Sequence, residues 1–245
     1  MKKLFIAMLA VAAVTACAKD EAISIDRQAI GFGNPFVENS VRSDYSDGKA
    51  LEAFTVYGTV TSKSNSNSVA LFGGNGASVT GSVGATAWNC TETEYWVPNC
   101  TYAFQAVADG VINNGAITVY VTDGNLDLLY ATANAETNEN AAPTGTGVNA
   151  NGVVEFNFTH LMSRVGFSFV NGSANNAYSY NITAVSFTGH FASGTYTIGA
   201  ATPWGSTTPS TTALSFGTGT TTHQIIPGEQ TLNITVAYYI LYNGT

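Results

Sequence analysis

The sequence predicts an all-β fold made of one or two β-sandwiches, and three observations carry that prediction. Charged residues are only 10% of the 245 residues, while Gly, Ser, Thr and Asn fill the polar positions. That mixture suits strands with uncharged outer faces and fits poorly with helices, which usually expose Lys and Glu. Apolar and polar residues also alternate in several short runs separated by turn residues. Finally, no stretch shows a sustained helical period, a single turn at 160–164 excepted.

The chain opens with an export signal. Met1-Lys2-Lys3 is a short basic start, Leu4 to Ala13 is unbroken and apolar, and Val14-Thr15-Ala16 leads with short side chains into Cys17. The apolar run is too short for a stable membrane span. A cysteine directly after small residues resembles the lipobox of bacterial lipoproteins. On that reading residues 1–16 are removed and the Cys17 thiol carries the lipid; the plainer reading is a secretory signal that happens to contain a cysteine.

Residues 18–28 are polar and acidic and read as a tether. Ile30, Phe32 and Phe36 then recur at even spacing, as in a half-buried strand. A polar stretch, 38–49, holds Arg42. In Leu51 to Val60, Phe54, Val56 and Gly58 alternate with Thr55, Tyr57 and Thr59. Residues 85–108 read as two strands around Tyr95-Trp96-Val97-Pro98, and 117–121 as another strand before a turn at Asp123-Gly124. Residues 131–152 hold little that could fill a core, which makes them the expected linker or long loop. Strand signals resume at 153–158, 165–170, 182–187, 194–198 and 232–242.

Charge narrows the partners. Without residues 1–16 the chain has 6 basic and 16 acidic residues, and Arg164 is the only basic residue beyond Lys63. Nothing here could neutralise a row of phosphates, so nucleic acid and anionic lipid surfaces are excluded as partners. Cys90 and Cys100 are ten positions apart. If they end two antiparallel strands, an exported protein could bridge them, which would contribute about 2–3 kcal/mol; the other reading is two unpaired buried thiols. Asn-x-Ser/Thr triplets such as those at Asn157 and Asn181 are taken as chance in an Asn- and Thr-rich chain.

Catalysis finds no support. His160, His190 and His223 are far apart and form no metal-binding pair, so no metal or other cofactor is expected. No nucleophile elbow or phosphate loop is present. Asp123 with Asp127, or Glu92 with Glu94, suit turns and solvent faces better than a catalytic carboxylate pair, and Asp44 with Asp47 is too loosely spaced for a cation site. His160, at the end of an apolar strand, reads as a capping or packing residue.

Several segments, in order, resemble the fimbrillin family of Bacteroidales, the pilin-like lipoproteins that build type V pili. They are Ala29-Ile30-Gly31-Phe32, then Val41-Arg42-Ser43, and Ala53 to Thr59. Next come Trp88 with Tyr95-Trp96-Val97-Pro98, the strand Tyr102 to Ala106, Val154 to Phe167, and Ile225-Ile226-Pro227-Gly228-Glu229. The chain departs from the pattern at Thr245, just after a strand, where such proteins usually continue; its C-terminal half is therefore expected to be incomplete. The resemblance implies two transthyretin-like β-sandwiches, at 43–150 and 151–245, after a signal peptide (1–16) and a tether with a removable first strand (17–42).

It further implies a non-catalytic surface lipoprotein that is held in the outer membrane through Cys17 and enters a fimbrium once processed. An arginine-specific cut would remove the first strand, and a neighbouring subunit would supply a replacement by β-strand addition. In this chain Ile30 and Phe32 would plug the groove and Arg42 would be the cleavage residue. Arg27 is the rival, but a cut there leaves the strand attached; an uncleaved surface arginine is the plain alternative for Arg42. A host or bacterial surface receptor is a further expected partner. A different reading is a glycan-binding lipoprotein with Trp88, Trp96, Tyr95 and Tyr102 as an aromatic platform, which requires exposed indoles.

Overall fold

Strict alternation decides the centre of the molecule. In 53–62 the alternate positions Phe54, Val56 and Val60 are apolar, in 100–108 so are Tyr102, Phe104, Ala106 and Ala108, and the two runs pair antiparallel over eight residues, from Thr55 with Val107 to Ser62 with Cys100. The computed structural model describes residues 27–37, 51–82, 84–121, 126–169, 180–182, 184–216, 223–225 and 232–240; Cys17 and Arg42 lie outside them.

The strands are β1 (Gly31–Phe32), β2 (Phe36–Val37), β3 (Ala53–Ser62), β4 (Ser68–Ala70), β5 (Ala77–Thr80), β6 (Asn89–Cys90) and β7 (Cys100–Ala108). There follow β8 (Ile112–Asn113), β9 (Ala116–Tyr120), β10 (Leu129–Thr137), β11 (Pro143–Thr144), β12 (Val153–Val154), β13 (Asn157–His160) and β14 (Ser163–Phe169). The last are β15 (Tyr180–Ile182), β16 (Val185–Phe187), β17 (Phe191–Thr197), β18 (Trp204–Pro209), β19 (Leu214–Phe216), β20 (His223–Ile225) and β21 (Leu232–Ile240). The fold is all-β, as the sequence indicated. Among the described residues the only helical element is a short 3-10 turn at Phe72–Gly74.

One large sheet runs β2-β13-β10-β7-β3-β5-β6, with β11 added to β10 and β4 to β3. Its inner face holds a core of Phe54, Val56, Val79, Trp88, Trp96, Tyr102, Phe104, Phe156 and Phe158, joined by Ile30 and Phe32. A second sheet, β18-β17-β9-β8, takes two strands from each half of the sequence. The β8–β9 hairpin turns on Asn114 and Gly115, both at positive φ (50° and 76°), as a two-residue hairpin of this hand needs. A second cluster gathers Ile117 and Val119 of this sheet with Val107, Leu128 and Met162, and Tyr57 and Tyr130 pack against it. Further along, β14 pairs with β21, β15 with β20 and β16 with β19, all antiparallel.

Three expectations are corrected. The linker at 131–152 begins inside β10, a central strand. Ala131, Ala133, Ala135 and Thr137 alternate inward, and the first three lie opposite Ala106, Phe104 and Tyr102 of β7. Alanine looks too small for a core until it faces a phenol or phenyl ring, and large-against-small is what lets layers close. The division at 150/151 also cuts through this core, because Val154 of β12, Phe158 of β13 and Phe156 between them all belong to it. Their ladders run to β1, β2 and β10.

The third correction concerns the cysteines, which are free thiols. Cys90 pairs with Val79 of β5, whose partner on β3 is Phe54, at the far end of the sheet from Cys100. Two strands separate β6 from β7, and the offset along the strands is about 26 Å by strand rise, far beyond bridging distance. Burial pushes both thiols above their ordinary pKa, which disfavours the thiolate.

Ala133→Leu should destabilise the fold by about 1–3 kcal/mol in urea unfolding through overpacking, while Thr132→Leu, on the exposed face of the same strand, should change it by about 0.5 kcal/mol or less. Unfolding without reductant in the presence of a maleimide should label both Cys90 and Cys100. Labelling of neither would restore the bridge.

Candidate functional site

Residues 28–37 are the segment on which the large sheet closes. Gly31 and Phe32 of β1 run parallel to Val153 and Val154 of β12, and Phe36 and Val37 of β2 run parallel to Asn157 and Phe158 of β13. On the other side the same segment is antiparallel to 88–96, with bridges from Phe32 to Trp88 and from Ala29 to Tyr95. The two ends of the sheet, at β13 and beside β6, therefore meet across this one strand.

The backbone bonds are short on both flanks. Trp88 N–H donates to Phe32 O (2.9 Å), Ile30 N–H to Glu94 O (2.8 Å) and Trp96 N–H to Gln28 O (3.0 Å). On the opposite flank Gly33 N–H donates to Val154 O (2.8 Å) and Phe36 N–H to Phe156 O (2.9 Å). Side chains extend the seat: Gln28 Nε2 donates to Asn151 O (2.6 Å), and Asn34 Oδ1 accepts from Gly84 N–H (3.2 Å). Gly152 sits at positive φ, and a Cβ there would strike Gln28 Nε2 at 2.7 Å, so glycine is needed twice over.

Inside the groove, Ile30 and Phe32 are buried. The Phe32 ring stacks on Phe156 (centroids 6.1 Å) and meets Phe54 edge-on (6.4 Å) and Phe72 at a tilt (6.2 Å). Phe36 does not follow. It is 60% exposed, because Gly33-Asn34-Pro35 separates β1 from β2 and shifts the parity of the alternation.

The walls are fixed independently of the strand. Thr137 Oγ1 donates to Val97 O (2.6 Å) and accepts from Cys100 N–H (3.0 Å), and Val97 N–H donates to the Tyr102 hydroxyl (2.6 Å). Burial pushes the Tyr102 phenol up to about 12, so it stays a neutral hydrogen-bonding group. Trp96 Nε1 donates to Gly152 O (3.2 Å), tying one wall to the turn before the other.

The rest of the described surface offers little chemistry. His160 Nδ1 lies 2.9 Å from Asp127 Oδ1, both largely buried, at the end of β13. Glu94 Oε1 accepts from Phe72 N–H, and Asp123 lies outside the described residues. His190 is buried, which lowers its pKa. No group of three His, Cys, Asp or Glu that could hold a metal is gathered among the described residues. The supposed aromatic platform is inside the protein: Trp88, Trp96 and Tyr102 are 5%, 0% and 2% exposed, and only Tyr95 shows a substantial surface. Their burial is the outcome that favours a structural role over glycan binding.

Sequence spacing located Ile30 and Phe32. It missed Gly152, Thr137 and Gln28, whose roles depend on hydrogen-bond partners 37 or more residues away and leave no local pattern. Phe32→Ala should cost about 3–5 kcal/mol of stability, measured by thermal or urea unfolding, whereas Phe36→Ala should cost about 0.5 kcal/mol or less.

No curated protein matches the chain. A family model described as fimbrillin-like matches residues 42–244, spanning both sheets and all strands from β3 onward. The chain belongs to the fimbrillin-like family of cell-surface fimbrial subunits.

Proposed function

We propose that this protein is a non-catalytic fimbrial subunit that assembles by strand exchange, with residues 28–37 as a removable plug. One observation carries the reading: a single short segment near the N-terminus is hydrogen-bonded on both edges and supplies Phe32 to the centre of the core. Its loss would create two unpaired strand edges and an apolar groove at once, a state with a strong drive to bind another strand. Burial of two large apolar side chains contributes about 1.5–3 kcal/mol each, and any replacement strand must match that.

Cleavage at Arg42 fits this scheme, since it falls after the strand and before β3, and the family match starts at the same residue. Cleavage at Arg27, which is exposed, would leave the strand in its seat. Lipidation at Cys17 would hold the unprocessed subunit on the outer membrane, and a receptor contact would belong to the assembled fimbria.

Treatment of the full chain with an Arg-specific protease should yield a product starting at Ser43 and high-mass oligomers on size exclusion. Tryptophan emission should shift to the red as Trp88 and Trp96 lose their cover, then return as oligomers form. Arg42→Gln should stay monomeric, and a cut confined to Arg27 should leave emission unchanged. A product starting at Ser43 that keeps the 28–37 segment bound and remains monomeric would contradict the exchange.

A further inference from the structure

The groove discriminates at one position beyond its two apolar pockets. Gly31 and Gly33 both lie in the plugging strand, and neither has the positive φ that demands glycine. Their surroundings differ. A Cβ on Gly31 would meet only Val153 Cγ2, at 3.9 Å, an ordinary contact. A Cβ on Gly33 would press on Glu155 Cγ at 3.0 Å, Glu155 Oε1 at 3.3 Å and Val153 Cγ1 at 3.3 Å.

Glu155 is an exposed side chain held in this position by a hydrogen bond. Its Oε1 accepts from Asn149 Nδ2 at 2.7 Å, and its backbone N–H donates to Gly147 O at 2.8 Å. Asn149 is itself fixed, because its Oδ1 accepts from the N–H groups of Asn151 (2.9 Å) and Val153 (3.2 Å). The Glu155–Asn149 bond does not pass through the plugging strand, although Asn151 O also accepts from Gln28 Nε2. A latched side chain therefore lies across the groove directly after the Phe32 pocket.

We infer that the Glu155–Asn149 pair is a size filter at the position after the second apolar anchor, favouring an incoming strand with two large apolar residues at alternate positions followed directly by glycine. The occupant is an extended segment of a second subunit, running parallel to 153–158 and antiparallel to 88–96. This rests on the exchange reading and adds to it a residue that sets which strands are accepted. Overpacking a fixed wall by an isopropyl group weakens binding by about tenfold or more.

The test uses the full chain cut after Arg42 and three fluorescent peptides: residues 28–37 as they stand, the same with Gly31→Val, and the same with Gly33→Val. Anisotropy should show the first two binding alike and the third at least about tenfold more weakly. Glu155→Ala in the cut protein should restore the third. In the uncut chain Gly33→Val should lower the melting temperature more than Gly31→Val, with Glu155→Ala recovering the difference; this arm does not depend on exchange. Equal binding of all three peptides to the cut protein, or no rescue by Glu155→Ala, overturns the filter while leaving the groove intact. Failure of the unaltered peptide to bind overturns the exchange reading and the filter with it.

Discussion

Closure of a sheet by one strand bonded on both edges is the constraint on which the rest of this molecule depends. A sheet of this size with free ends would present two rows of unpaired N–H and C=O groups. Here the ends are hidden by residues 28–37, parallel to β12 and β13 on one flank and antiparallel to 88–96 on the other. The parallel flank matters. A parallel neighbour cannot be joined to its partner by a tight turn, so this strand reaches its place from a distance in sequence and could be replaced by a strand from another chain.

The walls are built so that the groove has a shape of its own. β13 is held by β10 through Leu129 and Tyr130, and the 95–98 segment is held by Thr137 and Tyr102. β10 thus supports both walls, and its inward alanines leave room for the Tyr102 and Phe104 rings that stack at 5.9 Å. Because neither support passes through the plugging strand, its departure removes an occupant without removing the frame. Under the proposed exchange, an incoming strand would bind a prepared surface, which would limit the ordering cost of assembly.

The all-β class and the inward alternation of Ile30 and Phe32 were legible because they rest on short-range pattern. Ile30 and Phe32 alternate, as do Phe54 and Val56, and period two needs no knowledge of partners. What the sequence hid depends on distance. β10 reads as a linker because alanine carries no signal until it is seen opposite an aromatic ring. Cys90 and Cys100 look like neighbours because ten residues separate them, yet the sheet inserts β5 and β3 between their strands. Phe36 points outward because the Gly33–Pro35 interruption resets the alternation, and a glycine followed two residues later by proline gives no count of that shift. Strand order, more than strand existence, was the missing information.

The central claim is that residues 28–37 cover the sheet edge at 88–96 along its length, and amide hydrogen exchange tests it most directly. The N–H groups of Trp88 and Trp96 both donate into the 28–37 segment, from positions eight residues apart. In the intact protein both should be protected. After cleavage at Arg42 and loss of the segment, both should open together while amides of β3 and β7 stay slow, and both should recover protection in the oligomer. Continued protection of Trp88 and Trp96 in a chain that has lost residues 28–37, or loss of protection throughout β3 and β7 at the same moment, would contradict the account.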